Sequence, residues 1–155
     1  MAADDLTPET IALAQQLFDW ARENNAAQLE AYLDAGAPVD MVNHNGDTML
    51  TLASYHQATD VVRLLLSRGA NIEHANDRGQ RALACAVFQQ DADTSRALLA
   101  AGADPDAGTP SGRQTAEMFG WDGFAQLLAD RKKDQQRRPV YGTPARASTL
   151  LRCTT

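Results

Sequence analysis

The chain has 155 residues, enough for one domain with its own core and too few for two. Hydrophobic residues make up 44% and charged residues 22%, the balance of a soluble globular protein, and no apolar run approaches the ~18 residues that a membrane span needs. The formal charge of −6 is split, because residues 1–129 hold 18 acids and 7 bases while residues 130–155 hold 2 acids and 7 bases. An acidic body repels nucleic acid and anionic membranes at long range, so such partners are expected only through the basic C-terminal stretch.

The first segment, Met1-Ala2-Ala3-Asp4-Asp5, is acidic and has no apolar stretch, so no secretory signal is expected. Thr7-Pro8-Glu9 then offers a capping hydroxyl, a proline for the first helical position and an acid for the first turn. The helix that follows is expected to turn Leu13, Leu17 and Trp20 inward and Gln15, Gln16, Asp19 and Arg22 outward.

A 33-residue step organises what comes next. It relates Gly46, Gly79 and Gly112, as well as Gly36, Gly69 and Gly102, each of the latter followed by alanine. Leu17, Leu50 and Leu83 keep the same step, and so do Leu33, Leu66 and Leu99. Residues 10–42, 43–75, 76–108 and 109–130 are therefore four units, the last one short, between a lead-in at 1–9 and a basic, flexible tail at 131–155.

Each unit reads as two short helices and an extended, turn-rich finger. In the second unit Thr48 caps a helix that buries Leu50 and Ala53. Gln57-Ala58-Thr59-Asp60 is a polar turn, and Val61, Val62, Leu64, Leu65 and Leu66 make a helix apolar nearly all round, as suits one held between neighbours. Gly69 ends it. One such unit cannot bury its own apolar face, so the units must stack. The last unit is expected to lose its second helix soon after Leu127-Leu128, with the core ending at Asp130.

The stretch from Asn43 through Asn45-Gly46-Asp47-Thr48 to Ala53, closed by Leu64-Leu65-Leu66 and Gly69-Ala70, resembles an ankyrin repeat. So does Asn76 through Gly79 to Ala86, closed by Leu98-Leu99 and Gly102-Ala103. The resemblance covers about residues 10–130 and implies an all-α solenoid of helix-turn-helix units joined by hairpin-like fingers. Three departures stand out. Met49 and Ala82 occupy the family's proline position, Thr51 and Ala84 its histidine position, and Arg81 the capping threonine of the third unit. These losses should lower stability without changing the fold.

The same resemblance implies non-enzymatic binding of a partner protein, as scaffold or regulator, through the fingertips and the concave face of the first helices. The equivalent positions here are Arg22 in the first unit and His44, Asn45, Asp47, Tyr55 and His56 in the second. The third contributes Asp77, Arg78, Gln80, Phe88 and Gln89, and the fourth Trp121 and Asp122. Tyr55, Phe88 and Trp121 are 33 apart, so an unbroken register stacks them in one row of about 20 Å, at ~10 Å per repeat. Aromatic residues inside a charged rim have the composition of a binding hot spot.

No catalytic constellation accompanies this pattern. The glycines follow the repeat and none sits in a phosphate-cradling loop, and there is no HExxH or GxSxG. His44, His56 and His74 are spread over one and a half units with no cysteine to join them, so no metal or cofactor is expected. Cys85 and Cys153 are far apart and form no CxxC, which excludes a disulfide framework and fits a cytoplasmic location. Two other roles for the basic tail are conceivable from sequence: a tether to nucleic acid or an anionic surface, and, through Arg137, Arg138 and Pro139-Val140-Tyr141, a mask over the acidic binding face.

Overall fold

A computed structural model describes the backbone of residues 7–137 and side chains as far as Arg131. It contains eight helices in that span. They are α1 (Pro8–Arg22), α2 (Ala26–Asp34), α3 (Met49–Tyr55), α4 (Thr59–Ser67), α5 (Ala82–Phe88), α6 (Ala92–Ala100), α7 (Gly112–Phe119) and α8 (Gly123–Arg137). Successive first helices pack side by side, α1 on α3, α3 on α5 and α5 on α7, and the second helices make a parallel row behind them. The result is the two-layer all-helical solenoid expected, with one continuous core.

Helix starts follow the sequence signals. Thr7, Asn25, Thr48, Asp91 and Ser111 each accept a backbone N–H of the first turn of α1, α2, α3, α6 and α7, an interaction worth about 1 kcal/mol per helix. Arg81 occupies the same place before α5 without capping it, and instead pairs with Glu73 at 2.8 Å. The repeating leucines Leu17, Leu50 and Leu83 are buried, as are Leu33 and Leu99, while Leu66 is half-buried. Small residues of the first helices (Ala53, Ala82, Ala86) let α3, α5 and their neighbours approach closely, and Val61, Val62, Leu65 and Leu98 fill the space behind them.

Two expectations about the helices need correction. In α1 the buried stripe is Leu17, Phe18 and Ala21, whereas Leu13 and Ile11 are exposed, because only the second half of the helix lies against α3 and α2. At the other end, the second helix of the last unit is not lost soon after Leu128 but continues past Asp130, although Leu127 and Leu128 are the last core residues among those described. The helix α8 runs to Arg137, so the boundary drawn at 130/131 falls inside a helix. The rest of the basic tail lies outside the described residues.

The fingers are hairpin-like turns. In the first, Asn43 N donates to the Asp47 carbonyl and the Asn43 side-chain oxygen accepts from Asn45 N and Asp47 N. Asn76 repeats the pattern 33 residues later with Arg78 N and Gln80 N. Neighbouring fingers are tied directly: Asp77 N donates to the Asn45 carbonyl at 3.1 Å and Thr109 N to the Gly79 carbonyl at 3.0 Å. At the base of the fingers, Asp40 accepts from Asn71 N and Glu73 from Asp104 N. His74 Nε2 adds a further contact to the first finger, 2.8 Å from the Gly46 carbonyl oxygen.

The period is not constant. The caps Thr48 and Arg81 are 33 apart, but Arg81 and Ser111 are only 30 apart. The missing three residues belong to the third finger. Gly112, which the 33-residue step aligns with the fingertip glycines, opens α7 instead. A Cβ there would stand 3.0 Å from Leu83 Cγ, so glycine at this position allows α7 to lie close on α5.

Candidate functional site

The fingers and the C-terminal halves of the first helices border a groove. Its central part, about 350 Å³, is lined by Asn45, Asp47, Asn76, Arg78 and Gln80 from two fingers and by Thr51, Leu52, Tyr55, His56 and Cys85 from α3 and α5. A wider hollow of about 650 Å³ lies at the fourth unit, between Thr109-Pro110 and the α7 residues Gln114, Glu117 and Met118.

Three aromatic rings stand in a row at the ends of the first helices, and the first of them, Tyr55, lines the groove. Tyr55, Phe88 and Phe119 are the last residues of α3, α5 and α7. Tyr55 and Phe88 meet with centroids 5.9 Å apart, and Phe88 and Phe119 meet edge to face at 5.1 Å. All three stay exposed, at 40%, 47% and 45%, and Met118 beside them is more exposed still. His56 extends the row, 5.4 Å from Tyr55. Edge-to-face pairs are favourable by about 0.5–1.5 kcal/mol beyond the area they bury, so the rings hold one another in place while their outer surfaces stay wet.

Trp121 is not the third rung. Its N–H bonds to the Ala116 carbonyl, as Ala58 N does to Ala53 and Asp91 N to Ala86, which places Trp121 at the entry of the second helix of its unit. The indole is half-buried against Phe124, 6.1 Å away. The shortened third finger is the cause: a count of 33 from Phe88 overshoots α7. The row is also about half as long as expected, because the rings lean together. The sequence carried a usable signal in Ser111-Arg113-Gln114, a Ser-x-x-Gln capping box whose two reciprocal bonds both form. Counting seven from that cap, as from Thr48 to Tyr55 and from Arg81 to Phe88, leads to Met118, with Phe119 next to it.

The other expected residues separate into groups. His44, Asn45, Asp77 and Arg78 are exposed on the two fingertips, and Gln80 and Gln89 are half-buried. Arg22 closes the first helix and pairs with Asp19 at 2.7 Å. Asp47 is not a rim charge: it is 5% exposed and accepts from Asn76 Nδ2 at 2.7 Å, a contact that locks the first finger to the second. Asp122 departs with Trp121 to the open end of the last unit, where both line a separate hollow with Leu128.

Burial pushes the Cys85 thiol up to about 12, with the Asp47 carboxylate adding to the effect, so no thiolate is available for nucleophilic attack near neutral pH. Among the described residues, no group of three or more His, Cys, Asp and Glu side chains is placed to hold a metal ion. No helix among them is long and apolar enough to cross a membrane.

A solenoid of stacked helix pairs with inter-bonded fingers and a groove along the first helices defines the class, a stacked-repeat protein. The chain belongs to the ankyrin repeat family, whose model of three consecutive repeats matches residues 17–109. It is also similar to a Pseudomonas aeruginosa protein named as an ankyrin repeat protein, with 48% identity over 60 residues. That match covers 39% of this chain and 35% of the relative, so it spans about a third of the relative's length.

Proposed function

We propose that this protein is a non-enzymatic binding module that holds a partner protein along the groove, as scaffold or regulator, with Tyr55, Phe88 and Phe119 as anchors. The single observation that carries this reading is the exposed aromatic row. Three mutually packed rings, each nearly half exposed, lie beside two bonded fingertips that supply Asn45, Asp77 and Arg78. Large rigid aromatics lose little conformational entropy when a partner covers them, and the flanking polar fingertips set orientation and association rate. Family membership supports the class of function, since such repeats generally serve as protein-interaction modules.

Affinity capture from a cell lysate tests this with two full-length baits: the natural chain and the Tyr55→Ala/Phe88→Ala/Phe119→Ala variant, matched for helix content. A protein retained by the first and lost by the second is the expected result. Equal retention by both baits contradicts the assignment.

A further inference from the structure

The charges of the solenoid are unevenly satisfied. Residues 7–131 hold 17 acids and 8 arginines. Five of those arginines are already in ion pairs, Arg22, Arg68, Arg81, Arg96 and Arg113. Most carboxylates outside the pairs accept hydrogen bonds, as Asp40 and Asp47 do. Three exposed ones near the aromatic row, Glu23, Asp77 and Glu117, have no side-chain partner among the described residues. Glu23 follows Arg22 at the end of α1, the helix that packs beside α3 and its Tyr55. Glu117 lies in the last turn of α7, directly before Met118 and Phe119. Asp77 stands on the second fingertip, where the adjacent Arg78 offsets it. Unopposed negative charge therefore brackets the row at its two ends.

The row offers ring faces rather than gaps. A planar group inserted between two rings needs about 3.5–4.0 Å on either side. Centroid separations of 5.9 and 5.1 Å leave no such space, so an occupant lies across the outer surface of the rings. Those surfaces are exposed, and the face of an aromatic ring attracts a cation.

We infer that the partner segment held on this row is rich in arginine, its guanidinium groups lying on the outer faces of Tyr55, Phe88 and Phe119 and donating to Glu23 and Glu117. The inference deepens the reading of the row as a binding surface and rests on it. Arginine satisfies both features at once, because its planar group stacks on a ring while its edge keeps N–H donors for a carboxylate. Lysine matches the charge but holds its hydration shell more tightly and stacks less well. An acidic segment would meet like charge, and a purely apolar one would leave Glu23 and Glu117 with nothing to oppose them.

Calorimetric titration of the full chain with three blocked peptides tests this, serine alternating with arginine, with lysine or with leucine. The arginine peptide is expected to bind at least about fivefold tighter than the lysine peptide, a comparison in which net charge cancels. Tyr55→Leu/Phe88→Leu/Phe119→Leu keeps the apolar bulk and should abolish that preference, and Phe88→Leu alone should reduce it if the triple variant loses helix content. Glu23→Gln/Glu117→Gln should weaken both cationic peptides and flatten their salt dependence. Four results would overturn the inference: no measurable binding of the arginine peptide, equal affinity for arginine and lysine, a preference that survives loss of the rings, or tighter binding of the leucine peptide. A protein captured from lysate through the rings, alongside any of those results, would sink the arginine assignment and leave the binding surface standing.

Discussion

Phe88 and Phe119 meet edge to face at 5.1 Å although they are 31 residues apart, not the 33 that relate Tyr55 to Phe88. The third finger is three residues shorter than the second, so counting from the caps Thr48, Arg81 and Ser111 puts Met118, not Phe119, at the place of Tyr55 and Phe88. Phe119 stands one residue on, at the place of His56 and Gln89, and it is this neighbouring position that carries the ring meeting Phe88.

The link between the first two fingers is expected to tolerate little. Gly46 has φ +78°, and a Cβ there would stand 2.5 Å from Asp77 Oδ1 and 3.0 Å from the Asp77 backbone nitrogen. Gly46→Ala should cost about 2 kcal/mol or more, from left-handed strain plus the clash. Gly69→Ala, at φ +81° with nothing within 4 Å, should cost only the strain. Denaturant midpoints of the two variants compare them directly.

The Asn76 side chain holds four groups at once. Its oxygen accepts from Arg78 N and Gln80 N, and its amide donates to the buried Asp47 carboxylate at 2.7 Å and to Gln80 Oε1 at 3.0 Å. Asn76→Ala should destabilise by about 2–4 kcal/mol, because a buried carboxylate loses its nearest donor and two backbone N–H groups lose their acceptor. Chemical unfolding measures the loss, and Ser111→Ala, which removes a single cap, should cost about 1 kcal/mol on the same scale.

The Cys85 thiol leads to a prediction at alkaline pH. Burial raises it from 9.0 to about 12 in the folded chain. Between those values the unfolded thiol gives up its proton while the folded one keeps it, so the unfolded state binds fewer protons and stability falls as pH rises. The slope from this group alone is about 1.4 kcal/mol per pH unit. Unfolding free energies measured from pH 8 to 11 should fall less steeply for Cys85→Ala than for the natural chain.

Asp106 titrates in the opposite sense. Its hydrogen bond from Arg113, 2.6 Å from Nε, holds the carboxyl below its ordinary value, helped by the charges of Arg113 and Arg131. The stabilisation is present above that ordinary value of 3.8 and is lost as pH falls through the lower folded one. A carboxyl NMR titration should place Asp106 below 3.8 in the natural chain and return it toward 3.8 in Arg113→Gln.

Most of the solenoid was legible in the sequence because its signals are local. Thr7, Thr48 and the 33-residue leucine series act within one turn or one unit. What escaped depends on relations between units. The inward turn of Asp47 needs the Asn76 side chain of the next finger. The exposure of Leu13 depends on where α1 leaves its neighbours. The third aromatic was misplaced because a step fixed by two units was extended into a third that had lost three residues, although the Ser111–Gln114 box marked the true start of α7.

Phe88, the middle ring, bears most directly on the groove as a binding surface. Titration calorimetry of the captured partner against Phe88→Ala is the decisive measurement. At 47% exposure the ring contributes little to the core, so the thermal midpoint should stay within a few degrees of the natural chain. The expected result is a Kd at least about tenfold weaker, 1.4 kcal/mol or more, as for a hot-spot aromatic. An unchanged Kd with an intact fold would contradict the assignment of the aromatic row.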